Sequence, residues 1–226
     1  MAVLPLPWFR FAVMNSMTTR FCLIRHGETA WNAEKRVQGQ IDIDLNAAGV
    51  AQARALRPGL ACHSFAAAYS SDLLRASRTA LIATAGLGLA VAPAPTLRER
   101  HFGVLQGITS HEASLLHPQA HRYHRARTPD YNCESGESLV AFAARVMAGL
   151  EILVARHAGE SVLAFTHGGV LDIAYRAATA RALDAPRDFP VPNAALNWVE
   201  HGDRGWRLIS WADCGHLTGA LDEVLE

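Results

Sequence analysis

The chain has 226 residues, half of them hydrophobic and only 19% charged, which predicts one folded domain and excludes an intrinsically disordered protein. Lysine plus arginine and aspartate plus glutamate both total 21, so no net positive charge is available to attract nucleic acid or an anionic membrane. We therefore expect neither as a partner, and we expect any partner to be recognised by a local site.

Residues 1–17 are expected to form an extension outside the fold, and the domain is expected to occupy 18–226. The extension is apolar, but Pro5, Pro7 and Arg10 interrupt it, which argues against a signal peptide. The sequence contains no run of 18 apolar residues, so we expect no membrane span. The four cysteines are far apart and include no C-x-x-C pair, which fits neither a zinc ribbon nor a disulfide scaffold. These features predict a cytoplasmic protein.

Short apolar β-type runs alternate along the chain with longer helical patterns. Strands are predicted at 20–25, 65–70, 161–166, 195–201 and 206–211, and helices at 46–60, 72–85, 138–157 and from 168 to about 180. Asn46, Asp72 and Ser138 stand at the N-cap positions of three of these helices. The alternation predicts a single α/β domain with three αβα layers and a mainly parallel central sheet. The apolar edge expected at 195–211 suggests a homodimer.

Histidines follow two of the predicted strands, at the point where each strand ends. The first strand leads through Arg25 into His26, and the strand at 161–166 leads into His167. Both histidines precede a glycine, which permits a ligand to approach the backbone closely. Arg75 lies one turn into the helix predicted at 72–85, which follows the strand at 65–70. Because ligands of open α/β sheets bind at the carboxyl ends of the strands, these four side chains are expected to converge on one dianionic group.

The presence of arginines suggests that the dianionic ligand is a phosphoryl group, because the planar guanidinium group can bind two phosphate oxygens at once. Phosphoryl transfer also needs a nucleophile and a proton donor for the leaving oxygen. Glu99, in a loop after a further short β-like segment, is the candidate donor. The only lysine, Lys35, lies outside any Gly-Lys-[Ser/Thr] ending and among polar neighbours, which argues against a Walker A loop and a Schiff-base mechanism.

The segment 23–29, Leu-Ile-Arg-His-Gly-Glu-Thr, with Asn32 after it, resembles the signature of the histidine phosphatase superfamily, also called phosphoglycerate-mutase-like. The similarity covers most of the chain, leaving out 1–17 and about the last dozen residues. It continues through 38–39, 71–76 with 79–80, Glu99 with 102–103, 136–138 and 166–169. The resemblance implies that the fold is that of the superfamily and that the chain belongs to its phosphatase branch.

The resemblance also implies a role for each of these residues. His26 is then the nucleophile that becomes phosphorylated, and Glu99 is the general acid that later serves as base for water. His167 completes the catalytic set. The residues expected to bind the phosphoryl group and the substrate are Arg25, Asn32, Gln38, Gly39, Arg75 and Gly168, with His167 also on a phosphoryl oxygen. The implied substrate is a small phosphorylated metabolite, with no metal and no cofactor.

Elementary chemistry is consistent with these roles. An imidazole attacks when neutral, and its ordinary pKa near 6.5 leaves it largely neutral at pH 7. The Arg25 charge should favour that form of His26, whereas a dianionic ligand should raise the pKa of His167 and favour its protonated form. Arginines can neutralise the phosphoryl charge that Mg²⁺ neutralises in kinases, so no metal is required.

The segment of about 104–135 is expected to form a helical lid that sets selectivity. It contains four histidines at 111, 117, 121 and 124, and the spacing of the last three resembles a metal-binding face of a helix. Pro118 disturbs that helix start, so we expect a polar lid without a metal. Arg122, Arg125 and Arg127 supply positive charge there, which favours a second anionic group on the substrate. Trp31 is expected to line the site, close to His26.

Three functions fit the sequence: a metal-independent phosphomonoesterase, a cofactor-dependent phosphoglycerate mutase (an isomerase), and a non-catalytic phosphate-binding domain. Every expected catalytic side chain is present, which disfavours the third. Gln38 and Gly169 stand where the similar mutases carry Cys and Asn, and 67 residues between Glu99 and His167 are too few for the long mutase insertion. These departures favour the phosphatase, although the Glu-Arg-His stretch at 99–101 is mutase-like.

Overall fold

The computed structural model describes residues 18–217. The predicted extension at 1–17 and the C-terminal segment 218–226 lie outside the described residues. Six strands form one sheet in the described part of the chain, in the order β3-β2-β4-β1-β5-β6. The strands are β1 Thr19–Arg25, β2 Ala67–Ser70, β3 Val91–Pro93, β4 Ser161–Thr166, β5 Leu196–Gly202 and β6 Gly205–Asp213.

The sheet is mainly parallel, as the sequence predicts. β1, β2, β3 and β4 run in one direction, and only β5 opposes its neighbours on both sides. β5 and β6 form a tight hairpin whose turn is the dipeptide Asp203-Arg204. The hairpin places β6 at the sheet edge. The homodimer suggested by this edge stays a prediction.

Helices cover both faces of the sheet and form the outer two layers. They are α1 Ala30–Ala33, α2 Ala47–Ala61, α3 Leu74–Ala83, α4 Ser110–Leu116, α5 Pro118–Arg125, α6 Leu139–Arg156 and α7 Gly168–Thr179. Packing assigns α2 and α3 to one face and α6 and α7 to the other. Within residues 18–217, no helix is long and apolar enough to cross a bilayer.

The alternation of side chains along β1 explains why both faces need a helical layer. Phe21 and Leu23 point into the cluster shared with α6 and α7, whereas Cys22 and Ile24 point into the cluster shared with α2 and α3. All four side chains have no solvent exposure. Burial of each large apolar side chain stabilises the fold by about 1.5–3 kcal/mol. A central strand that is apolar on both faces therefore fixes the three-layer arrangement.

Two of the three predicted N-caps are confirmed. The Asn46 side chain accepts a hydrogen bond from the Gly49 N–H (2.8 Å), and the Ser138 hydroxyl accepts one from the Ala141 N–H (3.1 Å). Each bond satisfies a backbone donor that the first turn of a helix leaves unpaired. The local sequence is sufficient to predict these two caps, because the capping side chain and the N–H group that donates to it are only three residues apart.

The third N-cap prediction, Asp72, is wrong. The helix α3 begins at Leu74, and its N-cap residue has no side-chain cap bond. The Asp72 carboxylate instead forms a bidentate pair with Arg98, with contacts of 2.6 and 2.5 Å. The Leu74 N–H donates to Asp42 Oδ1 (2.7 Å), a residue of a distant loop. The carboxylate of Asp42, distant in the chain, thus accepts from the first turn of α3 in place of the predicted Asp72.

The helices α4 and α5 lie in the insertion between β3 and α6 and form the predicted helical lid. The lid has a small core of its own, made of Leu105, Ala113, Ala120 and Cys133. The Arg100 guanidinium joins this core to the main domain by donating to the carbonyl oxygens of Tyr131 and Glu137, both at 2.9 Å. The lid is therefore a packed subdomain that overhangs the carboxyl ends of the strands.

Candidate active site

The two predicted histidines meet at the carboxyl edge of the sheet. β1 and β4 are parallel neighbours in which Arg25 pairs with Thr166, so the next residue of each strand is a histidine at the same level. The ring centroids of His26 and His167 are 5.2 Å apart, with an interplanar angle of 58°. Both side chains are buried, with 3% and 0% exposure. Two strand ends thus place two imidazoles side by side.

The hydrogen bonding of His26 fixes its tautomer. Its Nδ1 lies 2.7 Å from the Gly27 carbonyl oxygen, and since a carbonyl only accepts, Nδ1 carries the proton. The Nε2 atom then holds the lone pair of the neutral ring. Burial lowers the pKa of His26 well below its usual range, and the Arg75 and Arg25 charges lower it further. The imidazole is therefore neutral and nucleophilic at neutral pH.

Gly27 is needed for packing against a helix, which differs from the ligand approach expected from the sequence. A Cβ at this position would lie 2.5 Å from the Gly49 carbonyl oxygen of α2. The Gly27 N–H also donates to the Thr79 hydroxyl of α3 (3.0 Å). The segment after His26 is thus held between α2 and α3, which fixes the ring above the sheet edge.

Both predicted arginines are buried beside the histidines. The Arg75 side chain has no exposure, and its two terminal nitrogens donate to the carbonyl oxygens of Gly39 (2.6 Å) and Ile41 (3.0 Å). Its Nε has no hydrogen-bond partner among the described residues. Burial lowers the pKa of Arg75 to about 10, so the side chain remains cationic at neutral pH. Arg25 is anchored by the Val191 carbonyl oxygen (2.7 Å).

His167 is oriented by a serine that the sequence reasoning did not single out. Its Nε2 lies 2.8 Å from the hydroxyl oxygen of Ser71, the residue that follows β2. The buried Nδ1 has no hydrogen-bond partner among residues 18–217. Burial lowers the pKa of His167 well below its usual range, and the nearby Arg75, His26 and Arg25 charges act in the same direction. The protonated form expected from the sequence therefore requires a bound anion.

Glu99 lines the cavity beside these groups and lies in the loop that follows β3 and the 3₁₀ turn Pro95–Leu97. One carboxylate oxygen accepts from the Arg100 N–H (2.7 Å) and the other from the Gly169 N–H at the start of α7 (2.9 Å). A Cβ on Gly169 would lie 2.1 Å from Glu99 Oε1. The absence of a side chain at 169 therefore lets the carboxylate rest on the first turn of α7.

The remaining predicted site residues divide into two kinds. Asn32 and Gln38 line the cavity, and the Asn32 Oδ1 accepts from Thr29, so the amide NH₂ is its remaining donor. Gly39 lines the cavity as well and supplies the carbonyl oxygen that anchors Arg75. Gly168 is buried at the start of α7, and it is Gly169 that faces the cavity.

The cavity above these groups has a volume of about 630 Å³, larger than a phosphate needs. Trp31 lines the cavity, as the sequence predicts. We define the outer wall of the cavity as the residues His121, His124, Arg125, Arg127 and Arg187. Arg122, which the sequence grouped with the lid cations, does not line the cavity and lies over the Tyr123 ring.

The lid histidines do not form a ligand set. His121 Nε2 is 2.9 Å from the Ser110 hydroxyl oxygen, and the His124 ring meets Phe102 edge to face. Within residues 18–217, no three His, Cys, Asp or Glu side chains are grouped as a metal site would require.

Sequence reasoning missed three groups that hold the site together. The Asn193 amide donates to the His26 carbonyl oxygen (2.8 Å), and Ser71 contacts His167. Arg145 of α6 donates to the Glu99 carbonyl oxygen (3.2 Å). Ser71 could have been predicted as a site residue, because it directly follows a predicted strand. Asn193 lies in a loop whose sequence shows no periodicity that would mark it.

A model of the histidine phosphatase superfamily (branch 1) matches residues 21–214, nearly the whole described chain. The chain belongs to the histidine phosphatase superfamily. It is a phosphatase of that superfamily, as the sequence resemblance implied.

Relatives of this histidine phosphatase carry two kinds of name. It is 40% identical over 214 residues to a metal-independent phosphoserine phosphatase of Arabidopsis thaliana, covering 93% of this chain and 88% of the relative. It is 37% identical over 206 residues to phosphoglycerate mutase-like protein 4 of the same plant, covering 88% of both. The structure of Bacillus stearothermophilus YhfR superposes with a TM-score of 0.82 at 31% identity, covering 88% of this chain and 98% of that one.

Proposed function

We propose that this phosphatase hydrolyses phosphomonoesters of small metabolites through a phosphohistidine at His26. The observation that carries the proposal is the His26 ring itself, with Nδ1–H donated to Gly27 and the Nε2 lone pair left for attack. Buried arginines beside it supply the positive charge that a transferring phosphoryl group needs.

The first half-reaction transfers the phosphoryl group to the enzyme. His26 Nε2 forms a bond to phosphorus while the ester P–O bond breaks, and the leaving oxygen takes a proton from Glu99. Arg25 and Arg75 bind the equatorial oxygens, and the unpartnered Nε of Arg75 and Nδ1 of His167 are donors available to that group. The dianion offsets the burial and cationic charges that lower the pKa of His167, so proton uptake there accompanies binding.

The second half-reaction returns the enzyme to its starting state. Water attacks phosphorus, the N–P bond to His26 breaks, and the Glu99 carboxylate accepts the proton that water loses. The products are inorganic phosphate and a neutral imidazole. Glu99 then holds the proton needed for the next ester, so protons balance over one turnover.

Trapping the intermediate tests this mechanism. Enzyme quenched during turnover of a ³²P-labelled ester should carry label that is stable to base and lost in acid, as a phosphoramidate is. His26→Ala should carry none and should be inactive. Activity should persist in EDTA, since no step requires a metal. Acid-stable label, label retained in His26→Ala, or EDTA inactivation reversed by a divalent ion would each overturn the proposal.

A phosphoglycerate mutase is the second candidate, because several relatives carry mutase or mutase-like names and the 99–101 stretch is mutase-like. A mutase must keep water from the phosphohistidine while its bisphosphate intermediate reorients. The mutase-like Arg100 is already committed to the carbonyl oxygens of Tyr131 and Glu137. Although Arg100 lines the cavity, these bonds leave fewer of its donors for a substrate, which favours hydrolysis.

The two candidates separate in one incubation. Enzyme is mixed with 3-phosphoglycerate and a trace of 2,3-bisphosphoglycerate, and both 2-phosphoglycerate and free phosphate are followed. We expect phosphate release to dominate, and isomerisation tenfold faster than phosphate release would establish the mutase.

The substrate is proposed to carry a second anionic group. Arg125, Arg127 and Arg187 line the outer wall and give it positive charge, and the Arg127 guanidinium also donates to the Asp172 carboxylate (2.7 Å). A panel of phosphomonoesters tests this, beginning with phosphoserine, the substrate named for the Arabidopsis relative. Faster turnover of neutral esters than of carboxylate-bearing ones of equal size would contradict it.

We also propose a cytoplasmic location. Cys22, Cys62 and Cys133 are free thiols, which fits a reducing compartment. Fractionation of cells that express the chain checks this, and recovery of the protein in an oxidising compartment would contradict it.

A further inference from the structure

One arginine holds the backbone of the segment that carries Glu99. Arg145 of α6 donates through Nη1 to the carbonyl oxygens of Thr96 (2.9 Å) and Arg98 (3.0 Å). Through Nη2 it donates to the carbonyl oxygen of Glu99 (3.2 Å). The segment 96–99 contains only a single 3₁₀ turn and no strand, so these bonds satisfy acceptors that secondary structure leaves open.

A carboxylate on the same side orients the guanidinium. Arg145 Nε and Nη2 donate to the two carboxylate oxygens of Glu137, at 2.7 and 2.8 Å. Glu137 Oε2 also accepts from the His101 N–H (2.9 Å). The pair is therefore hydrogen-bonded to the backbone on both sides of Glu99, at Arg98 and at His101. A bidentate fork of this kind restricts rotation of both side chains, which a single contact does not.

Neither partner of this pair lines the cavity, and their side chains are about one quarter exposed. Arg145 therefore does not contact a substrate, and its hydrogen bonds reach the site through the segment that carries Glu99. Its charge is the smallest of the charges that lower the pKa of His167, and Arg145→Lys, which keeps the charge, separates that contribution from the hydrogen bonds. We propose that Arg145, oriented by Glu137, is a positioning residue that holds Glu99 at the distance needed to protonate the leaving oxygen. The inference rests on the proposed role of Glu99 as general acid.

The physical argument is the steep distance dependence of proton transfer. A general acid must lie within about 2.6–3.2 Å of the atom it protonates. Gly169 and Arg100 hold the carboxylate, but both bonds depend on where the Glu99 backbone is placed. Without Arg145, three carbonyl oxygens lose their common donor and the Glu99 oxygen keeps its bond from Gln40 Nε2 (3.0 Å), so the loop is held less firmly and can shift. Displacement of about 1 Å is enough to cost on the order of 10²-fold in rate.

The test compares leaving groups. Arg145→Gln should slow alkyl phosphates, whose alkoxides need a proton, at least tenfold more than p-nitrophenyl phosphate, with KM nearly unchanged. Arg145→Lys should recover part of the rate, because an ammonium reaches one carbonyl but cannot form the fork. Arg156→Gln is the matched control, since Arg156 ends the same helix and contacts Tyr69 far from the cavity. It should behave as the native enzyme.

A double variant shows whether the effect passes through Glu99. In a Glu99→Gln background, Arg145→Gln should add less than twofold to the loss on alkyl phosphates, because the group it positions is already gone. Equal losses on alkyl and aryl esters, or full additivity, would overturn the inference. If Arg145→Gln does not fold, Glu137→Gln gives the same test, because it weakens the fork and keeps the side-chain volume.

The two proposals fail in different ways. If Glu99→Gln itself slows alkyl and aryl esters equally, Glu99 is not the general acid and the proposed mechanism is wrong. If Glu99→Gln is selective and Arg145→Gln is not, the mechanism stands and only the positioning role is overturned.

Discussion

The inner end of the cavity and its outer wall are built on different principles. At the inner end, Arg25, Arg75 and His26 line the cavity and His167 lies beside His26; all four have at most 3% exposure and are fixed by backbone carbonyls or a buried hydroxyl. In the outer wall, by contrast, Arg125 is exposed and His121, His124, Arg127 and Arg187 are half-buried. The inner groups project from strand ends and helix starts of the main domain, and most outer groups project from the lid.

This difference teaches which part of the site performs chemistry and which part selects. A preorganised, desolvated set of cations stabilises charge on a phosphoryl group without reorganising during the reaction. Exposed arginines on a small subdomain contribute weakly and are screened by salt. We therefore expect inner substitutions to affect every phosphomonoester and outer substitutions to affect only some.

The largest effect is expected at Arg75. Arg75→Met should lower kcat/KM by on the order of 10³-fold on every ester, since it removes a buried donor from the transferring group. It should also abolish the rise in Tm that inorganic phosphate gives the native enzyme. The control is Arg57→Met, which removes an exposed arginine that donates to the Ile82 carbonyl oxygen. Phosphate stabilising Arg75→Met as fully as the native protein would show that Arg75 is not a phosphate ligand.

A single methyl group at Gly169 tests how closely Glu99 must be held. Gly169→Ala places a Cβ 2.1 Å from Glu99 Oε1, and the carboxylate, being a side-chain end, will move away. We expect a loss on the order of 10²-fold for alkyl phosphates and a much smaller loss for aryl phosphates. Gly59→Ala is a matched helical control, because its nearest heavy atom is Leu196 Cδ1 at 3.7 Å. Unchanged alkyl ester rates in Gly169→Ala would mean that this contact is dispensable.

The inner site was largely predictable from the sequence, because strand ends are a local feature. His26 and His167 each follow an apolar run, and the parallel arrangement of β1 and β4 then brings them together. The anchors of that site were not predictable. Asn193 lies 167 residues from His26 in the chain, and no periodicity marks a residue in such a loop.

The N-cap prediction at Asp72 failed because a long-range contact replaced a local one. Asp72 has the position of an N-cap, yet it binds Arg98 while Asp42 accepts from the first turn of α3. The lid shows a different limit. Arg122 and Arg125 are three residues apart on α5, but only Arg125 reaches the cavity, and the helix is too short for its sequence to reveal which face is inward.

The buried histidines also predict how stability depends on pH. The folded state holds the pKa values of His26 and His167 well below their usual range, mainly through burial. Below about pH 6.5 the unfolded chain binds protons that the folded chain does not, so stability falls as pH falls. Each histidine contributes up to about 1.4 kcal/mol per pH unit, a tenfold change in the unfolding equilibrium.

Urea unfolding at pH 7.5, 6.5 and 5.5 measures this effect. His167→Asn should lose stability less steeply with acidification than the native protein, by about 1 kcal/mol between pH 6.5 and 5.5. His26→Asn should behave similarly. Identical pH dependence in all three proteins would show that neither buried imidazole is linked to folding.

The smallest effect is expected in the outer wall, where Arg125 and Arg122 form a natural pair of variants on one helix. Arg125 lines the cavity, whereas the Arg122 guanidinium lies over the Tyr123 ring, 5.2 Å from its centroid. An exposed ion pair contributes up to about 1 kcal/mol, so Arg125→Ala should raise KM about fivefold for esters with a second anionic group. Phenyl phosphate, which has no such group, should be unaffected, and the effect should shrink at high salt. Arg122→Ala should change neither substrate's KM. If both variants weaken the anionic ester equally, the lid acts through its total charge, and selectivity at the outer wall does not depend on which arginine faces the cavity.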